Sequence, residues 1–280
     1  MLRGDIERVP VSDGEVIAVR QLGHGKPVLL VHGIPGSAEE WTEVVGRLAS
    51  HHRVIVPDLL GFGSSSRPQD ATKLGLAGQA AALTEMLHAL ELREVAWVGH
   101  DYGGPIGLYA IRGNPSLVSH LVLAATNVFA DTPIPFPLSS VTWPVVGSAL
   151  ASLVFSGPSL QLMLRQGVGS PAPELHIPTY LGDASQRTAI RTIFTTALRE
   201  LRAWYSPAQA TLADIDIPTA VIWGDRDPFF SVRQGHRTTE AIRGAVFVLL
   251  HGAGHFLPAE RPADLAKAIL DLLASPTEVT

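Results

Sequence analysis

Not one cysteine occurs among the 280 residues. That excludes disulfides, thiolate nucleophiles and zinc–thiolate centres together, although it leaves the compartment open. Charge is sparse as well: Asp, Glu, Lys and Arg make up 17% of the chain, the net charge is −5, and no five like charges stand in a row. This argues against nucleic acid or an anionic membrane as partner. The most apolar stretch, 138–155, is broken by Pro144, Gly147 and several serines. A membrane span needs about 20 predominantly apolar residues, so the stretch reads as a buried or pocket-lining helix and no membrane partner is expected. The opening MLRGDIERVP has no apolar core of the kind a secretory leader carries, and a cytoplasmic location is the expectation. No repeat or low-complexity linker is present. With 46% hydrophobic residues, there is ample material for a core.

Short β-rich apolar runs at 28–31, 54–56, 95–98 and 121–123 alternate with helical patterns at 37–50, 74–90 and 102–112. Ser37 reads as the N-cap of the first helix, with Glu40 completing a capping box. Strand–helix alternation of this kind predicts an α/β fold with a doubly wound, mostly parallel sheet. The alternation stops at Asn127. A proline-punctuated helical stretch follows, carrying Pro133, Pro135, Pro137, Pro144, Pro158, Pro171, Pro173, Pro178 and Pro207, with its clearest helix at 189–203. Strand patterns return at 219–223 and 245–250, and a helix at 263–273 closes the chain. The predicted organisation is a core of residues 1–126 and 213–280, with a helical lid at 127–212. Ligands of such sheets sit beyond the carboxyl ends of the strands, where a lid would cover them.

The sharpest motif is Gly99-His100-Asp101-Tyr102-Gly103-Gly104, directly after the strand at 95–98. Its glycines suit a tight strand-to-helix elbow that presents the middle side chain, here an aspartate. Three more segments occur at strand ends: His32-Gly33-Ile34-Pro35-Gly36-Ser37, Asp58-Leu59-Leu60-Gly61-Phe62-Gly63 and Trp223-Gly224-Asp225-Arg226-Asp227-Pro228. Gly254-His255-Phe256 follows the last strand. On these segments the chain resembles the α/β-hydrolase family, and within it the branch with an aspartate nucleophile, the epoxide hydrolases and haloalkane dehalogenases. The resemblance spans nearly all of the chain outside the lid.

The resemblance implies a nucleophile at Asp101, an acid at Asp227, a base at His255 and an oxyanion hole from the backbone N–H groups of Ile34 and Tyr102. Asp225 and His251 compete for the acid and base roles, but the family's spacing and its Gly-His-Phe pattern favour Asp227 and His255. His32 and His100 read as structural, and His51, His52 and His88 as surface residues. Asp101 could also be a mere turn residue in a non-enzymatic relative.

The chemistry fits the residue types. A carboxylate with an ordinary pKa of ~3.9 is ionised at neutral pH and needs no base to attack. Attack on a saturated carbon bearing a leaving group gives an alkyl ester, which water activated by His255 then hydrolyses. No cofactor or metal is called for. The partners expected are a small apolar substrate and water, in a pocket that would include His32, Pro35, Trp143, Tyr180 and Phe256. The chain is silent on oligomeric state.

The leaving group divides the readings. Haloalkane dehalogenases typically place tryptophan after the nucleophile, and many place asparagine after the His-Gly pair; here those positions hold Tyr102 and Ile34. Fluoroacetate dehalogenases carry an arginine after the nucleophile, also absent. Epoxide hydrolases use lid tyrosines as proton donors, and Trp204-Tyr205 resembles the pair on their last lid helix. Tyr205 is therefore the candidate acid. The family's second lid tyrosine has no counterpart in 127–155; Trp143 lies near its place, and Tyr180 is a possible substitute. An epoxide hydrolase is the preferred expectation, with a dehalogenase second. A non-catalytic binding protein on the same fold is the reading from another class.

Overall fold

The computed structural model describes residues 2, 4–134, 136–169 and 175–274. Pro135, Pro171 and Pro173 of the proline-punctuated stretch lie outside the described residues. One sheet is formed by β1 (Glu7–Pro10), β2 (Val16–Leu22), β3 (Pro27–Val31), β4 (Arg53–Pro57), β5 (Val95–His100), β6 (Val118–Ala124), β7 (Thr219–Gly224) and β8 (Val246–Leu250). Its order is β1-β2-β4-β3-β5-β6-β7-β8. Strands β3 to β8 pair in parallel, while β1 and β2 add an antiparallel hairpin at the β4 edge. The sequence expectation began the sheet at β3 and missed this hairpin.

Side chains alternate across the sheet with the two-residue period of a strand. Leu29, Val31, Val95 and Trp97 enter one buried cluster, and Val28, Leu30, Ala96 and Val98 the other. Both faces of β3 and β5 are therefore covered, which explains why these strands read as continuous apolar runs. Helices α2 (Leu76–Ala89) and α3 (Gly103–Gly113) cover the first face. Helices α1 (Thr42–Leu48) and, at the end of the chain, α11 (Pro262–Leu273) cover the second.

Between β6 and β7 run α4 (Gly147–Val154), α5 (Gly157–Gln166), α6 (Ile177–Leu181), α7 (Ala184–Arg199) and α8 (Leu201–Thr211). The helix predicted at 189–203 is broken at Glu200, whose φ of −113° and ψ of 29° leave the helical region. The break lets α7 pack against residues Leu138–Thr142 while α8 packs on α3. The single helix expected over 138–155 is instead a short 3-10 turn at Leu138–Thr142 followed by α4. It is only partly buried, since Trp143, Val145, Val146 and Leu153 are exposed. No single helix among the described residues is long and apolar enough to cross a membrane, and α4 and α5 meet at 64°. After β7 come α9 (Val232–Glu240) and, following β8, α10 (Leu257–Glu260).

The capping box at Ser37 does not form. The chain enters α1 through a 3-10 turn at Ala38–Trp41, the Ser37 hydroxyl donates to the Thr179 carbonyl, and Glu40 turns its side chain into the core.

The chain leaves β3 for β4 on one side and returns to β5 on the other, so the strand order reverses between β3 and β5. Crevices open at such points, beyond the carboxyl ends of the strands. The turn after β5 lies close against β3: a Cβ on Gly103 would stand 2.3 Å from the Val31 carbonyl oxygen. Because the obstacle is backbone, nothing can rotate away. Gly103→Ala is expected to cost about 1–3 kcal/mol and to lower the midpoint of urea unfolding. An unchanged midpoint would mean that α3 does not need this contact.

Candidate active site

The site begins with an unusual backbone. Asp101 has φ of 48°, in the left-handed region that a non-glycine residue adopts at a cost of about 1–3 kcal/mol. Its N–H donates to the Ala124 carbonyl at 3.1 Å, and its own carbonyl accepts from the Thr126 hydroxyl. Both bonds tie the turn to the end of β6, and they hold the Asp101 side chain out beyond the sheet.

The loop after β3 meets this side chain. Asp101 Oδ1 accepts the Ile34 N–H at 2.8 Å. Asp101 Oδ2 lies 3.6 Å from His255 Nε2. His255 Nδ1 lies 2.9 Å from Asp227 Oδ2, whose other oxygen accepts the N–H groups of Phe229 and Phe230 at 2.8 and 3.0 Å. Asp225 and His251 form a separate pair 3.0 Å apart, with the His251 side chain 82% exposed. The structure thus groups Asp101, His255 and Asp227, and leaves the competing pair on the surface.

Burial pushes the Asp101 carboxyl up, but hydrogen bonding and charge from His255, the His100 charge and the Ile34 N–H outweigh it, so its pKa falls below the ordinary value. Burial pushes His255 down, and it is outweighed by Asp227 and Asp101, which together raise the imidazole to about 10. The two carboxyl groups on either side of His255 thus favour the protonated form of its imidazole.

A second layer fixes this group. His100 is buried; its Nδ1 stands 3.0 Å from Glu40 Oε1 and its Nε2 3.0 Å from the His255 carbonyl oxygen. A carbonyl can only accept, so Nε2 carries a proton. Glu40 Oε1 also accepts the Gly33 N–H at 3.3 Å. Glu260, on α10, accepts the N–H groups of Gly169, Gly254 and Phe256 at 2.7, 2.8 and 2.9 Å, and the Gly167 carbonyl accepts the His255 N–H at 2.7 Å. His32 is structural in its contacts: Nε2 accepts the Leu59 N–H at 3.0 Å, and Nδ1 lies 2.8 Å from the Gly33 carbonyl. Among the described residues no His, Asp or Glu side chains are grouped so as to hold a metal ion.

A cavity of ≈ 150 Å³ opens over Asp101 and His255. Ile34, Pro35, Phe229, Phe230 and Phe256 line it from the core, and Leu138, Met163, Phe194, Leu198, Leu201 and Tyr205 from the helices between β6 and β7. Cavities of about this size hold a benzene-sized ligand. Of the predicted pocket residues, Pro35 and Phe256 face the cavity, and three do not. His32 is held behind it as just described. Trp143 is 51% exposed and lies outside its lining. Tyr180 is buried against the Phe256 ring, with centroids 5.0 Å apart. The reason lies in the break near Pro144, which turns Trp143 outward. The Tyr102 side chain is also directed elsewhere, its hydroxyl donating to the Leu74 carbonyl at 2.9 Å.

Sequence reasoning missed Phe229, Phe230, Asn127 and the buried Glu40. The first two directly follow Asp227-Pro228, and an aromatic pair beside an acid loop was a signal available to be read. Asn127 marks the end of the strand–helix alternation, yet nothing in its neighbours foretold a place in the cavity.

A family model described as the alpha/beta hydrolase fold matches residues 26–262. An uncharacterized protein of Mycobacterium tuberculosis is 30% identical over 269 residues, covering 91% of this chain and 78% of that protein. Lipase 1 of Psychrobacter immobilis is 28% identical, covering 96% and 85%. Epoxide hydrolase A of Mycobacterium tuberculosis is 25% identical over 316 residues, covering 95% and 97%. Among solved structures, a putative ancestral haloalkane dehalogenase superposes with a TM-score of 0.80 at 20% identity, over 96% of this chain and all of that one. The named relatives differ in reaction, and the solved structure shares the fold. This chain belongs to the alpha/beta hydrolase fold family, and it is a hydrolase.

Proposed function

We propose that the protein opens a small apolar epoxide to a vicinal diol through an ester on Asp101. The observation that carries this reading is the pairing across one apolar cavity of a carboxylate held below its ordinary pKa, Asp101, with the phenol of Tyr205. The residues that dehalogenases would need as halide donors point elsewhere: Trp143 is half exposed and the Tyr102 hydroxyl is engaged by Leu74. No serine occupies the elbow, which disfavours an esterase. The segment between β6 and β7 serves as a cap, supplying Tyr205 and much of the apolar lining.

In the first step Asp101 Oδ2 attacks a ring carbon, the C–O bond breaks, and the alkoxide takes the Tyr205 proton. The ester has no charge, so the carboxylate that held His255 protonated from one side is gone. Its imidazolium then releases a proton, which returns through solvent to the Tyr205 phenolate. His255, now neutral and oriented by Asp227, takes a proton from water as hydroxide adds to the Asp101 carbonyl carbon. The oxyanion develops on Oδ1, which already accepts the Ile34 N–H, and the Tyr102 N–H completes the hole. Collapse transfers the acid proton to the departing diol oxygen and restores the starting charges.

His255→Gln is expected to form the ester but not hydrolyse it. Incubated with small apolar epoxides, it should gain the full mass of the epoxide on the peptide carrying Asp101. An alkyl mass lacking halogen, seen only with haloalkanes, would move the enzyme to the dehalogenases. No adduct from either panel would overturn the ester mechanism.

Tyr205→Phe is expected to slow ester formation by about 10²–10⁴-fold, the usual worth of a positioned proton donor, measured by rapid quench. A loss under threefold would remove Tyr205 from the mechanism.

The two states of Asp101 also predict a pH signature. His255 in the free enzyme should titrate near 10 when followed by NMR. In single-turnover experiments ester hydrolysis should rise with pH, because neutral His255 is the active form, and level off well below 10. A plateau reached only near 10 would show that esterification leaves His255 unaffected.

A further inference from the structure

The cavity lining contains two polar side chains to which no role has been given, Asn127 and Thr132. Asn127 follows β6, is buried, and lines the cavity together with Asp101 and Tyr205. Its amide orientation is fixed by groups that can only donate or only accept. The Phe129 N–H donates to Oδ1 at 3.1 Å, and Nδ2 donates to the Phe129 carbonyl, also at 3.1 Å. Thr132 Oγ1 and Gln234 Nε2 reach the same Oδ1 at 2.6 and 2.8 Å. The oxygen is fully engaged, and the bond to the Phe129 carbonyl uses one of the two amide hydrogens. The second N–H is left unused by these partners, in the cavity wall that Asn127 shares with Tyr205.

Resting on the reading of Tyr205 as proton donor, we infer that Asn127 is a positioning residue that supplies the second hydrogen bond of the leaving-group site, donating its free N–H to the Tyr205 oxygen. An oxygen that accepts from Asn127 directs its own O–H away from that bond, toward the cavity and the face of Asp101. As the proton passes to the substrate oxygen, the negative charge left on Tyr205 falls on the atom Asn127 already holds. Charge-assisted bonds are about twice as strong as neutral ones, so the contact strengthens as the reaction proceeds, the condition for lowering a barrier rather than merely binding. The surroundings create the need. Burial and the Asp101 carboxylate push the Tyr205 phenol well above its ordinary value, while the neighbouring Asn127 amide acts in the opposite direction. A single amide, anchored by Phe129, Thr132 and Gln234, thereby does the work of a second tyrosine that this chain lacks.

The test uses the full chain with 3,5-difluorotyrosine at position 205, whose phenol ionises near neutral pH and is followed by absorbance. Asn127→Ala should raise its pKa by about one unit or more. Asn127→Asp, which keeps the shape and the bonds accepted from Phe129, Thr132 and Gln234, should raise it further. An unchanged value in both variants overturns the inference. In a second arm, in the His255→Gln background, Asn127→Asp should slow Asp101 alkylation by a small apolar epoxide about 10–100-fold. Alkylation by a matched alkyl iodide, which needs no proton, should change less than about threefold. Equal slowing with both reagents would mean that Asn127 merely holds the cavity together, and would overturn the role proposed. If no epoxide alkylates the chain with native Asn127, the epoxide reading fails, while the fluorotyrosine titration still decides whether Asn127 holds Tyr205.

Discussion

The arrangement depends on keeping one carboxylate ionised against an apolar cavity. An unpaired charge in such a place costs several kcal/mol or protonates instead. Asp101 avoids both through the Ile34 N–H on one oxygen and the His255 imidazolium near the other. Neither partner could be there alone. His255 is charged because Asp227 stands on its far side, and Asp227 is in turn held by the N–H groups of Phe229 and Phe230. The row of groups from Ile34 to Phe230 is therefore one electrostatic unit, in which removing His255 would leave two buried carboxylates without a shared partner.

Two buried glutamates carry that unit's geometry. Glu40 links the Gly33 N–H to His100, and His100 reaches the carbonyl of His255. The loops after β3, β5 and β8 are thus joined beneath the cavity. Glu260 gathers the N–H groups of Gly254 and Phe256 with that of Gly169. Gly169 belongs to the segment that also supplies the cavity's apolar wall, so wall and imidazole share one anchor. A displacement of that segment would pull on the His255 backbone through the Gly167 carbonyl. Substrate enclosure and the placement of His255 are in this way mechanically linked.

Some features were legible because their signals are local. The elbow needs a glycine pattern around Asp101, the sheet needs apolar runs of strand length, and both were read from neighbouring residues. The hairpin of β1 and β2 was less so, because a short edge strand with charged Glu7 and Arg8 gives a weak signal. Glu40 misled for a related reason. Its spacing from Ser37 is that of a capping box, but its carboxylate is drawn instead to buried His100 and the Gly33 N–H. The break at Glu200 has no local cause; it follows from α7 and α8 having different partners.

The sequence by itself determined the strand–helix alternation from β3 onward, the family resemblance and the three residues, Asp101, His255 and Asp227, that the structure places beside one another. These rest on period, turn chemistry and motif order, all properties of near neighbours along the chain. Only the tertiary structure decided which distant side chains share a cavity. It turned Trp143 outward, set Tyr180 beneath Phe256, and brought Tyr205 and Asn127 together from positions 78 residues apart. Such meetings are fixed by how helices cross and where loops are anchored, and a linear pattern carries no record of either.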